Sequence, residues 1–155
     1  MATEIERKFL VLNDDWRTLA ARQKAVKQGY FAGGGKASIR IRLAGESANI
    51  NIKSAALDVT RKEYEFAVPY EDAREMLERL CEKPLIEKTR YYVPYGRHVW
   101  EVDEFTGDNA GLVVAEIELA AVDESFEKPP WLGREVSQDT RYYNVCLVKH
   151  PYKDW

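Results

Sequence analysis

The 155-residue sequence predicts an α+β fold, in which one antiparallel β-sheet curls into a barrel, open or closed, around a charged lumen and carries a few helices outside. Three observations point there. Period-two alternation runs through most of the chain, as strands require, because successive side chains face opposite ways. Opposite the Ile, Val and aromatic positions, segment after segment places Arg, Lys or Glu. Helical spacing is confined to short stretches. One charged strand face is ordinary solvated surface. So many in one sheet need either open water or an enclosed interior, and closing the sheet also removes its unpaired edges.

The elements follow in order. Glu4, Glu6 and Lys8 share one strand face, while Ile5 and Phe9 hold the other, interrupted by Arg7 and continued by Val11. A short helix is expected over residues 14–22 and a strand over 26–31. Gly33-Gly34-Gly35 then reads as a turn that returns the chain antiparallel. It is not a phosphate loop, because Tyr30 stands where that motif needs Gly and Ala37 where it needs Ser or Thr. Over residues 38–43, Arg40 and Arg42 oppose Ile39, Ile41 and Leu43. Over 48–54, Asn49, Asn51 and Lys53 are backed by Ile50 and Ile52. Over 61–66, Arg61, Glu63 and Glu65 oppose Lys62, Tyr64 and Phe66, with only Lys62 spoiling the apolar side.

Pro69 precedes a helix over 71–81, whose Ala73, Met76, Leu77 and Leu80 form a core-facing stripe. The strand over 86–93 carries Lys88 and Arg90. A hairpin at Pro94-Tyr95-Gly96 leads to the strand over 99–105, where Glu101 and Asp103 alternate with Trp100 and Val102. The segment 112–119 sets Glu116 and Glu118 against Ala115, Ile117 and Leu119, a near echo of the first strand. An irregular stretch with Pro129-Pro130, a short strand over 135–137 and a short helix over 139–147, stopped before Pro151, complete the chain. No repeat or linker divides residues 1–155, so one domain is expected.

Composition narrows the function. With 45% hydrophobic and 32% charged residues, the chain belongs with folded proteins. A formal net charge of -3 gives no overall basic field for nucleic acid, so any anion site is local. The acidic N-terminus does not resemble a secretory leader, and no apolar run approaches the roughly 20 residues of a membrane span. A cytoplasmic protein without membrane contact is the expectation. Cys81 and Cys146 are far apart and outside any CxxC motif, and read as free buried thiols. His98 and His150 are too few for a zinc site, which leaves hard, oxygen-liganded metals.

An interior lined by this many ions is costly unless they neutralise one another or a ligand. The cations suit phosphate oxygens, Arg by its bidentate fork and Lys as a mobile point charge. Carboxylates paired at i and i+2 suit Mg2+ or Mn2+. A linear polyphosphate with its metal satisfies both sets.

Glu4-Ile5-Glu6-Arg7-Lys8 matches the ExExK signature of the CYTH superfamily, the triphosphate tunnel metalloenzymes. The remaining motifs follow in order: Arg40-x-Arg42, Ile52-Lys53, Arg61-x-Glu63-x-Glu65, Lys88-x-Arg90, Asp103 and Glu116-x-Glu118. Trp131-Leu132-Gly133 and Asp139-x-Arg141-Tyr142-x-Asn144 resemble the short bacterial members. The resemblance implies an antiparallel eight-stranded tunnel that hydrolyses or cyclises triphosphates with Mg2+ or Mn2+. It implies catalytic roles for Glu4, Glu6, Glu116, Glu118 and Lys88. Phosphate binding falls to Lys8, Arg40, Arg42, Lys53, Arg61, Lys88 and Arg90, and metal binding to Glu4, Glu6, Glu63, Glu65, Asp103, Glu116 and Glu118. Glu63 and Glu65 either assist a second metal or hold basic neighbours. Asn51 stands where the family often has Thr, and Arg141 either reaches the tunnel mouth or caps structure.

The expected reaction is hydrolysis of inorganic tripolyphosphate to pyrophosphate and phosphate by a monomer or homodimer. Two alternatives stay open. One is a nucleotide-directed member, either a class IV adenylate cyclase or a thiamine or nucleoside triphosphatase; the other is a polyphosphate-binding module without turnover.

Overall fold

The computed structural model describes residues 2–33 and 35–155, so the central Gly34 of the expected glycine turn lies outside the described residues. In chain order the elements are β1 (Ala2–Val11), α1 (Trp16–Leu19), β2 (Arg22–Tyr30), β3 (Ala37–Ala44), β4 (Ser47–Ser54), β5 (Thr60–Ala67) and α2 (Tyr70–Arg79). There follow β6 (Ile86–Tyr95), β7 (His98–Phe105), β8 (Val113–Glu118), β9 (Leu132–Glu135) and α3 (Asn144–Lys149), with three short 3-10 turns between or after them.

Neighbouring strands run in the order β5, β4, β3, β2, β6, β7, β8, β1, and β1 pairs back onto β5. The result is a closed eight-stranded antiparallel barrel. β1 is the seam: residues 2–5 pair with β5 on one edge, and residues 6–9 pair with β8 on the other. Beyond the first residue of β5, which lies opposite Ile5, β9 takes over that edge opposite Phe9 and Val11.

Three expected boundaries move. The helix over 14–22 shrinks to the single turn of α1, and β2 begins at Arg22, because residues 22–25 pair with residues 89–92 of β6. Arg22, Gln23 and Lys24 carry no apolar alternation that could have shown it. The strand expected over 135–137 lies at Leu132–Glu135, beside Val11. The helix expected over 139–147 splits into a 3-10 turn at Thr140–Tyr142 and α3, because Tyr143 is extended (φ -74°, ψ 133°) and its hydroxyl donates to the Ser137 carbonyl at 2.8 Å.

Apolar residues pack outside the barrel. Phe9, Trp100 and Trp131 meet edge to face at centroid separations of 5.5 and 5.9 Å. α2 lays Ala73 and Leu77 over Ile41, Leu43 and Ala48. Arg7, the interruption in the β1 apolar face, lies over the Phe126 ring at 5.0 Å and donates to Glu135. Coverage by helices is incomplete, however: Tyr64 and Phe66 on β5 remain 42% and 56% exposed. Cys81 is buried and Cys146 only half-buried, and both are free. No helix among the described residues is long and apolar enough to cross a membrane.

Gly29 lies against Cys81 and Leu85 in the segment that follows α2. A Cβ there would sit 2.7 Å from Leu85 Cδ2 and 2.8 Å from Cys81 Cβ. Gly29→Ala is expected to destabilise the fold by about 1–3 kcal/mol through overpacking, read as a lower urea midpoint at unchanged slope.

Candidate active site

Because the barrel is closed, alternate residues of each strand point into a shared interior, which forms a cavity of about 210 Å³. Glu4, Glu6 and Lys8 enter it from β1, Arg40 and Arg42 from β3, and Lys53 from β4. Arg61, Glu63 and Glu65 enter from β5, Lys88 and Arg90 from β6, and Glu116 and Glu118 from β8. These six strands bring together residues as far apart in sequence as Glu4 and Glu118.

Asp103 is the exception. It is 0% exposed and absent from the cavity lining, with Arg90 Nε and Nη2 each 2.8 Å from its two oxygens and Lys88 Nζ 2.7 Å from Oδ2. Its expected place among the metal-facing carboxylates is therefore not where the structure puts it. With both oxygens committed to cations, Asp103 braces Lys88 and Arg90 from behind.

The remaining ions sort into two groups. On β1 and its neighbours carboxylates and lysines interlock. Lys53 Nζ lies 2.8 Å from Glu4 Oε2, Arg61 3.9 Å from the same oxygen, and Lys8 Nζ 2.8 Å from Glu116 Oε1 and 3.0 Å from Glu6 Oε1. Arg90 also reaches Glu101 and, at 3.5 Å, Glu116. Burial opposes every one of these charges. For Glu4 the Lys53 and Arg61 cations outweigh burial and hold the carboxyl below its usual range; for Glu116 the Lys8, Arg90 and Lys88 cations do the same. Lys8 is correspondingly raised by Glu116 and Glu6 against the pull of burial.

On β3 the pattern reverses. Among the described residues neither Arg40 nor Arg42 has a carboxylate partner, and the out-of-solvent Nε of Arg40 has no hydrogen-bond partner at all. Arg42 donates through Nε to Gln28 Oε1 at 2.9 Å. Burial, with Arg40 and Arg90 nearby, lowers the Arg42 guanidinium to about 10. Two guanidiniums without carboxylate partners give this part of the cavity a local positive charge in a chain of net negative charge.

Carboxylates without enough cations form the complementary feature. Glu6 faces Glu118 in register across β1 and β8. Burial and then Glu116 push Glu6 up to about 7, and burial with Glu4, Glu101 and Glu63 raises Glu118. Crowded carboxylates of this kind are relieved by a hard cation. No three His, Cys, Asp or Glu side chains among the described residues already meet at metal-ligand spacing. The donor set nevertheless fits Mg2+ or Mn2+, which take one or two protein carboxylates and fill their other positions with water and phosphate oxygens.

Several lining residues carried no expectation of a site. Tyr30 and Ser38 share the inward faces of β2 and β3, and Tyr143 and Asn144 enter from the start of α3. The alternation that placed Arg40 inward places Ser38 there too. Asn144, named before only within the Asp139-x-Arg141-Tyr142-x-Asn144 resemblance, opens α3, where strand alternation does not apply; its Oδ1 accepts from Lys88 Nζ at 2.9 Å and from Gln28 Nε2 at 3.1 Å. Tyr143 has Lys8 Nζ 5.2 Å and the Arg61 guanidinium 5.5 Å from its ring centroid. Arg141 lies outside the cavity, bound to Asp139 and stacked near Trp155 at 4.8 Å, so it caps structure.

The sequence pattern of the CYTH domain matches residues 2–146. An inorganic triphosphatase of Acetivibrio thermocellus is 45% identical over 155 residues, spanning 100% of this chain and 99% of its own length. An inorganic triphosphatase of Nitrosomonas europaea is 36% identical over 151 residues, spanning 94% of this chain and 97% of its own. A crystal structure of an inorganic triphosphatase superposes with a TM-score of 0.67 at 32% identity, covering 96% of this chain and 95% of that one.

Proposed function

Since the chain belongs to the CYTH domain family, we propose that it is an inorganic triphosphatase, which hydrolyses tripolyphosphate to pyrophosphate and phosphate with Mg2+ or Mn2+. The observation that carries this reading is the coexistence, in one cavity, of the unpaired Arg40 and Arg42 guanidiniums with the under-neutralised Glu6 and Glu118. An extended phosphate chain and a divalent cation complete both sets. Neither a neutral ligand nor a bare metal ion would.

In this mechanism Arg40, Arg42 and Arg90 hold phosphoryl oxygens and offset the charge that spreads over them in the transition state. Lys8, Lys53 and Arg61 extend the cationic wall along the chain of phosphates and fix its register. Glu6 and Glu118, with Glu4 and Glu116 beside them, are the residues that would hold the divalent cation. When bound, it supplies charge neutralisation at the phosphate oxygens.

Lys88 accepts the proton of the attacking water. It is buried beside Arg90 and Arg42, and burial outweighs Asp103 to bring its ammonium down to about 7, so the amine loses its proton more readily than an exposed lysine does. Water oxygen bonds to the terminal phosphorus as the bridging P–O bond breaks, pyrophosphate leaves with the bonding electrons, and the proton passes to Lys88 Nζ. Asp103 positions that amine without touching substrate.

The test is to supply purified protein with tripolyphosphate, ATP or thiamine triphosphate, each with Mg2+ or Mn2+, and to measure phosphate, pyrophosphate and cyclic AMP. Phosphate and pyrophosphate from tripolyphosphate, lost on chelation of the metal, are expected. Pyrophosphate with cyclic AMP from ATP would instead identify a cyclase, and binding without product would identify a polyphosphate-binding module.

A further inference from the structure

At one level of the barrel wall a single row crosses three strands: Arg40 on β3 is in register with Asn51 on β4, which is in register with Glu65 on β5. Strands about 4.8 Å apart place Arg40 and Glu65 about 10 Å apart at the backbone, a gap that two long side chains on a concave face can close. Opposite charges so placed attract, the more so because Arg40 is buried, although Glu65 itself is exposed. Yet Arg40 has no ion pair among the described residues.

Asn51 stands between them and is 1% exposed. Its Nδ2 donates to Glu63 Oε1 at 2.7 Å and to Glu65 Oε2 at 2.5 Å. Asn49 Nδ2 adds a contact to Glu65 Oε1 at 3.5 Å. The Oδ1 of Asn51 is buried without a partner. A buried acceptor left bare costs stability, so the amide is placed for what its donors do.

We propose that Asn51 is a positioning residue, which holds Glu63 and Glu65 on their own side of the lumen and so keeps the Arg40 guanidinium open to a phosphoryl group. The inference rests on the reading that Arg40 binds substrate phosphate. A hydroxyl or methyl at this position lacks the two-hydrogen fork that engages both carboxylates together. Freed of it, Glu65 turns toward Arg40 and competes with phosphate.

The experiment compares tripolyphosphate kinetics of Asn51→Ala, Asn51→Thr, Glu65→Gln, Arg40→Ala and the Asn51→Ala/Glu65→Gln double variant. Asn51→Ala is expected to raise KM about tenfold while kcat changes by less than about threefold, because binding rather than chemistry is impaired. In the double variant KM is expected to return to within about twofold of Glu65→Gln alone, the non-additivity of side chains that act through each other. A double variant as impaired as Asn51→Ala would overturn the inference, since loss of a direct substrate contact or of packing is not rescued by removing the Glu65 charge.

Asn51→Thr supplies the same comparison, paired with Glu65→Gln, if Asn51→Ala is recovered unfolded by circular dichroism. An unchanged KM in Asn51→Ala also overturns it. Arg40→Ala separates the two levels: unchanged KM there refutes phosphate binding at Arg40, whereas raised KM there with normal Asn51→Ala refutes the role of Asn51 alone.

Discussion

Glu6→Gln and Glu118→Gln are each expected to lower kcat at least about a hundredfold while leaving the protein as stable as the parent or more so. Activity and stability part company because these two carboxylates are poorly neutralised by the protein itself. Glu6 is flanked by Glu116 and Glu4 and has Lys8 at 3.0 Å, which already bonds Glu116 more closely. Glu118 faces Glu6 in register. Replacing either with a neutral amide of the same shape relieves repulsion but removes a ligand for the divalent cation. Unchanged turnover in both variants would sink the assignment of the cation to this group.

The same crowding sets a pH dependence for the metal-free protein. Glu6 is raised to about 7 in the folded state from a usual value of 4.5, so between those pH values the folded state binds more protons than the unfolded one. Its contribution to stability is therefore present below pH 4.5 and is lost as pH rises through about 7. Melting curves recorded in chelator are expected to fall across that window, and Glu6→Gln flattens the fall. Adding Mg2+ restores the lost stability at the upper end, since a ligand that binds only the folded state stabilises it.

Much of the architecture was legible because a barrel strand announces both faces at once. Arg40-x-Arg42 between Ile39 and Leu43 identifies an inward and an outward side whatever the neighbouring strands do, and the seam at Glu4-x-Glu6-x-Lys8 reads the same way. Alternation reports which face a residue takes, but not whether it reaches the lumen or stops in the wall. Asp103 shares the period of Glu101, yet two cations on β6 claim it while Glu101 lines the cavity. Gln28 and Asn144 were hidden for a different reason. They are neutral, and the network from Arg42 through Gln28 and Asn144 to Lys88 joins β3, β2, α3 and β6, contacts that only tertiary structure brings together.

Lys88→Met is expected to lower kcat by about 10²–10⁴, the usual worth of a positioned proton acceptor, and to abolish a rise of activity with pH. A neutral amine carries two hydrogens. Asp103 Oδ2 at 2.7 Å and Asn144 Oδ1 at 2.9 Å accept both, which leaves the lone pair as the free direction of Nζ. In the parent enzyme kcat/KM should climb as pH rises through about 7, because the amine must be unprotonated to take the water proton. A bound triphosphate favours the ammonium, so the limb in kcat lies at higher pH than the limb in kcat/KM. Lys88→Arg separates this role from a purely electrostatic one. A guanidinium keeps the positive charge but does not give up its proton in the working range. Lys88→Arg as inactive as Lys88→Met supports the base, whereas recovery of most of kcat by Arg would make Lys88 a fixed charge on the phosphate and move proton acceptance elsewhere in the cavity.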